Sequence, residues 1–140
     1  MAPATVVERE VPTPTLGRKA VLIGRIVSAI PVLLLAFSAF MKLAGGEEME
    51  KSWVSFGYPA SVLAPIGVTE LLVAALYAFP RTAALGAVLV TGYLGGAVAT
   101  HLRLLQPVFP VPALLGALVW LGLYLRDPRI RALLPLRRDR

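Results

Sequence analysis

Glu70 stands nine or ten residues from either end of an otherwise apolar stretch, Ala60 to Phe79. If that stretch lies in lipid, a carboxylate at its centre costs about 2.5–3.5 kcal/mol on insertion scales, so something must compensate it. It can be protonated, hydrogen-bonded to a neighbouring helix or paired with a cation, and each solution keeps it inside a bundle and away from acyl chains. Counting outward from Arg81, Glu70 lies 11 residues back and Tyr93 12 residues on. In an antiparallel helix pair both therefore sit about 17 Å from the turn. Tyr93 is the expected donor to the carboxylate, with Thr91 as the alternative, and Tyr77 shares the Glu70 face at i+7. Arg25 could reach Glu70 as a counter-ion or snorkel to the surface instead.

A second polar group gathers at the far ends of two apolar stretches: Lys42 after the first, and Thr100, His101 and Arg103 after the third. These predict an outer polar cluster in which His101 is a surface hydrogen-bonding residue. With one histidine and no cysteine, bis-histidine haem, multi-histidine metal sites and thiol chemistry are excluded within one chain, and no metal site is expected. A haem held by His101 and Met41 is a remote alternative. Between these groups, Gly92 and Gly96 form a small-xxx-small pair, thinned further by Gly95, Ala97 and Ala99. That spacing predicts close approach of a neighbouring helix, in this chain or in a second copy, with a groove shaped for a ligand as the alternative. Serine-nucleophile motifs, phosphate loops and carboxylate dyads are absent, and no residue is assigned as catalytic.

The elements that must position these residues follow from composition. Of 140 residues, 57% are apolar and 16% charged, and the mean hydropathy is +0.75, which for so short a chain requires lipid as solvent. Four spans are expected, at about 20–41, 60–79, 82–100 and 108–125. Twenty-two helical residues in the first reach about 33 Å, matching a bilayer core of roughly 30 Å. Pro31 should kink it, with Ser28 rebonding a freed carbonyl. The Phe79-Pro80-Arg81 link forces the second and third spans into an antiparallel hairpin. The connection Lys42–Pro59 holds Trp53, Phe56 and Tyr58, predicting a short amphipathic turn at headgroup depth that anchors without a ligand.

The expected architecture is thus all-α, an integral membrane four-helix bundle of up-down topology spanning 20–126. A disordered N-terminal tail occupies 1–19 and a basic C-terminal tail 127–140. Six of the fourteen Lys and Arg residues lie between Arg126 and Arg140. They share a side with Arg9, Arg18, Lys19 and Arg81, whereas Lys42, Lys51 and Arg103 face the other, so both termini are expected to be cytoplasmic. The net charge of +6 is read as topology and contact with an anionic lipid surface; no nucleic-acid partner is expected.

Four segments carry a family resemblance: Thr91-Gly-Tyr-Leu-Gly-Gly-Ala-Val-Ala-Thr-His-Leu-Arg103, Gly67-Val-Thr-Glu70 with Phe79-Pro-Arg-Thr82, and Trp120-Leu-Gly-Leu-Tyr-Leu-Arg126. From Lys42 through Leu136 the chain resembles the DoxX-like family of small bacterial membrane proteins. The resemblance implies a four-helix membrane bundle in the bacterial inner membrane, with family positions at Lys42, Glu70, Tyr93, Gly95, Gly96, His101 and Arg103. Since the family name comes from a small subunit of a thiosulfate to quinone oxidoreductase, it also implies a quinone connection. Without a flavin, iron-sulfur or nicotinamide motif the chain is not expected to catalyse redox chemistry alone.

Three functional readings result. The first is a non-catalytic module that binds a small lipophilic ligand, a quinone among the candidates, or anchors a partner complex. Its polar core would draw on Glu70, Tyr93, Tyr77 and Thr91, and room would come from Gly92, Gly95 and Gly96. The second is a quinone-linked accessory subunit of an oxidoreductase, with a redox protein partner and His101 or Glu70 handling protons. The third is a small transporter or proton pathway, suggested by the embedded carboxylate.

Overall fold

A computed structural model describes residues 17–133. Among the described residues the fold is wholly helical. Helix α1 spans Arg18–Ala44, α2 Glu47–Ser55, α3 Leu63–Ala78, α4 Ala83–Arg103, α5 Pro110–Arg126 and α6 Pro128–Leu133, with a single 3-10 turn at Ala60–Val62 leading into α3. Helix α1, the 3-10 turn with α3, and α4 are each long and apolar enough to cross a membrane. Helix α5 is apolar but only 17 residues long, about 25 Å at 1.5 Å per residue.

Several boundaries depart from the sequence expectations. Arg18 and Lys19 belong to α1 rather than to a tail, and Pro128–Leu133 add a short helix where the basic tail was expected. The rest of the two expected tails, 1–16 and 134–140, lies outside the described residues. The expected amphipathic turn between the first two spans is a nine-residue helix. Gly45 and Gly46, with φ of 66° and 109°, turn the chain into α2, and Gly57 at φ 84° turns it out again, all in the left-handed half of φ space that favours glycine. Pro31 lies within a continuous α1, and Ser28 sends its hydroxyl to Tyr77 rather than back to the freed carbonyl, because Tyr77 faces it at bonding distance.

Helix α1 packs against α3 and α5, and α4 packs against the same two, so α1 and α4 stand diagonally opposite. Small residues set the spacing. Gly86 lies directly on the backbone of Leu76 and Tyr77, and Gly122 on Ser28, while Ala39, Ala74, Ala83 and Ala87 are almost fully enclosed. Without a hydrophobic gain between helices in lipid, such close backbone approach and its dispersion contacts hold helices together. Only 22–33% of the residues in the apolar windows of the three long helices are buried inside the protein. Leu22, Leu33, Phe37, Leu72 and Val88 face outward, as lipid contact requires.

The deepest polar group in this packing is Tyr77, which is 0% exposed. Its hydroxyl lies 2.7 Å from the Val119 carbonyl and 2.9 Å from Ser28 Oγ. The carbonyl can only accept, so Tyr77 donates to it and accepts the Ser28 hydroxyl hydrogen. One side chain thereby ties α3 to both α5 and α1. Arg126 donates from Nη2 to the Tyr77 carbonyl at 2.9 Å and stacks on the ring at 4.8 Å. Tyr77→Phe is expected to lower stability in detergent by about 1–2 kcal/mol, toward the low end because Ser28 can turn its hydroxyl to a carbonyl of its own helix. A midpoint in a denaturant titration indistinguishable from wild type would contradict this.

Candidate functional site

Glu70 is held by a cation. Lys42 Nζ lies 2.7 Å from Glu70 Oε2, and the two side chains are 11% and 3% exposed; the pair is therefore internal and faces no lipid. Lys42 also donates to Ser38 Oγ one turn earlier on α1. Geometry that permits this begins with Gly67. On α3 it lies one turn before Glu70, on the same face, and a Cβ there would stand only 3.1 Å from Lys42 Cβ and 3.3 Å from the Ala39 carbonyl. Glycine at 67 lets α1 approach so closely that the Lys42 stem runs down α3 to the carboxylate. Two desolvated charges in direct contact satisfy each other, which a lone carboxylate at mid-span could not do.

Beside this pair lies a cavity of about 720 Å³, within the range of small-molecule pockets. It opens in the space between the diagonal helices α1 and α4, with α3 and α5 completing the wall and α2 forming a roof through Met49, Ser52 and Trp53. Its polar wall is made by Lys42, Glu70 and Tyr93, with Tyr58, Thr100 and His101 nearer the roof. Tyr58 and Thr100 share a hydrogen bond of 3.0 Å. Apolar rim residues Phe37, Met41, Val108 and Val111 are exposed, so the cavity communicates with the outer apolar face of the helices.

The expected site residues divide between this cavity and other places. Glu70, Tyr93, Gly92 and Gly96 line it. Within the chain, among the described residues, no neighbouring backbone lies against the glycine face: a Cβ at Gly92, Gly95 or Gly96 would meet nothing within 4 Å. Helix α4 is thinned toward space, and toward the cavity in the case of Gly92 and Gly96, because α1 stands across the diagonal. Thr91 lies outside, donating to the Ala87 carbonyl at 2.7 Å and accepting from Trp120 Nε1 at 2.9 Å, so it is unavailable as the partner of Glu70. Tyr77 belongs to the packed interior and does not reach the cavity.

Nor does the outer cluster form as expected. His101 is within 2.6 Å of the Gln106 side-chain oxygen through Nδ1 and meets the Phe56 ring edge-on at 5.9 Å. Arg103 donates to the Phe56 carbonyl. These two residues fasten the end of α4 to the segment after α2, whereas Lys42 leaves them for Glu70. Arg25 lies with Arg126 and Asp127 at the opposite end of the molecule, well away from Glu70. Trp53 sits 6.3 Å from Phe56 and 5.6 Å from Tyr58, ring to ring; all three line the cavity as well as meeting the surface.

Sequence reasoning missed the Lys42 to Glu70 pair because Lys42 lies near the end of its helix and was counted with the surface. The usable signal was Gly67, since a glycine sharing a face with an embedded carboxylate marks where a neighbouring helix, and hence its partner, comes closest. Among the described residues no group of three or more metal-ligating side chains converges. In comparisons with known proteins, the model of the DoxX-like family matches residues 26–122, more than half of the 140. No curated protein and no solved structure matches the chain.

Proposed function

The chain belongs to the DoxX-like family, and on that premise we propose that it is a membrane module that holds a small lipophilic molecule between its helices. It is a multi-pass membrane protein with three helices long and apolar enough to span. In our reading α5 completes an up-down four-helix bundle in the bacterial inner membrane, and both termini and the Arg81 turn face the cytoplasm. One observation carries the ligand reading: glycines 92 and 96 open onto a cavity of about 720 Å³ instead of packing against a helix. A vacancy of that size with an exposed apolar rim suits a guest that arrives from the bilayer, with Glu70, Lys42 and Tyr93 orienting it.

Purification in mild detergent followed by an absorption spectrum and mass analysis of what accompanies the chain tests this. The wild type is expected to retain a lipophilic molecule, and Gly96→Leu, whose side chain fills free space, is expected to lose at least about tenfold of it while still unfolding cooperatively as a helical protein. Equal retention by the variant, or none by either, would argue against a cavity-bound guest. The quinone-linked reading uses the same cavity, because a quinone is lipophilic and presents two carbonyl acceptors to Lys42 and Tyr93. Co-purification of a flavin- or metal-bearing partner would select it.

A further inference from the structure

We infer that the cavity selects an amphiphile whose polar head is uncharged, such as an alcohol, ester or ketone on an apolar body, over one carrying a carboxylate, sulfonate, phosphate or amine. The inference rests on the ligand-holding reading above and names the chemical class of the guest. It comes from a charge count of the wall. Apart from His101, Lys42 and Glu70 are the basic and the acidic side chain on it among the described residues, and they are in contact at 2.7 Å. Their sum is zero whichever atom holds the shared proton.

The charges of α2, Glu47, Glu48, Glu50 and Lys51, do not line the cavity, and Arg103 is also outside the lining. Two ion pairs, Lys51 to Glu47 and Lys51 to Glu48, occupy the outer surface of α2 instead. His101 is on the wall with Nδ1 already engaged by Gln106. Apart from His101, Lys42 is the basic side chain among the described wall residues that could neutralise an anionic head, and doing so would strip Glu70 of its counter-ion while burying it alone. A cationic head taking Glu70 would leave Lys42 in the same condition. Either exchange buries a second charge and recovers no more attraction than it destroys. A neutral head pays neither penalty: the Tyr93 and Ser52 hydroxyls on the wall can donate to it or accept from it, while Tyr58 and Thr100, whose hydrogens go to Thr100 and to the Gly96 carbonyl, can accept from it.

The test uses three brominated probes of equal chain length: undecanol, undecanesulfonate and undecyltrimethylammonium, each with a terminal bromine. Bromine quenches nearby indole fluorescence, and the chain has two tryptophans. Trp120→Phe removes the one bonded to Thr91 outside the cavity, leaving Trp53 on the wall as reporter. At pH 8 in nonionic detergent the alcohol is expected to quench Trp53 saturably at a concentration at least about tenfold below that of either ion. Gly96→Leu should abolish the saturable component. An ion binding as tightly as the alcohol would overturn the neutral-head inference alone. Failure of all three probes, or quenching unaffected by Gly96→Leu, would overturn the ligand-holding reading and the inference with it. The melting temperature of the unsubstituted protein, expected to rise with the alcohol only, reads the same preference without the tryptophan change.

Discussion

Lys42→Met is expected to destabilise the folded protein by about 3–5 kcal/mol in mild detergent, the cost of removing one partner from a buried ion pair. The methionine keeps most of the stem that runs along Gly67, so packing changes little. What remains is a Glu70 side chain 3% exposed with its counter-ion gone. The double variant Lys42→Met with Glu70→Gln is expected to recover at least half of the loss, since an amide carries no charge to be left alone. A double-mutant cycle on the unfolding midpoint measures the coupling directly. Additive single losses, or a Lys42→Met protein within about 1 kcal/mol of wild type, would show that the pair does not support the fold. Lys51→Met supplies the control. It removes exposed pairs with Glu47 and Glu48, worth little individually.

The helices were legible because a membrane imposes a length and an apolar composition that few other solvents require. The hairpin was legible because four residues, 79–82, separate α3 from α4, too few to go anywhere else. Glu70 was legible as a group needing compensation, since its cost is set by depth alone. Its partner was not, because Tyr93, Thr91, Arg25 and Lys42 differ in lateral position, which depends on how α1 and α4 are arranged around α3. The same ambiguity governed the glycines: small-xxx-small spacing is identical whether a backbone or a vacancy lies opposite, and only the diagonal placement of α1 decides it at Gly92 and Gly96. Helix α2 was reduced to a turn because nine residues carrying Glu47, Glu48 and Glu50 show no long apolar period. Its three acidic residues nevertheless lie in the first turn, where the helix dipole favours them.

Two glycines on α4, Gly86 and Gly96, separate scaffold from cavity, and replacing each with alanine is expected to have opposite consequences. A Cβ at Gly86 would collide with the Tyr77 amide nitrogen and Cα and with the Leu76 carbonyl carbon, all backbone atoms with no rotamer by which to withdraw. The α3–α4 hairpin must then separate near its turn, where the Thr82 hydroxyl donates to the Leu76 carbonyl at 2.7 Å. Any shift of Tyr77 is also transmitted to Val119, Ser28 and Arg126 through its bonds. Gly86→Ala is therefore expected to cost about 3 kcal/mol, the upper end of overpacking penalties. Gly96→Ala meets open space and removes a flexible residue from a helix interior, so its effect is expected between zero and a gain of about 1 kcal/mol. Thermal unfolding of both variants in one detergent provides the measurement. A Gly86→Ala protein as stable as Gly96→Ala would mean that α3 and α4 do not meet at this glycine. The Tyr77 clasp joining α1, α3 and α5 would then lose the backbone placement on which it depends.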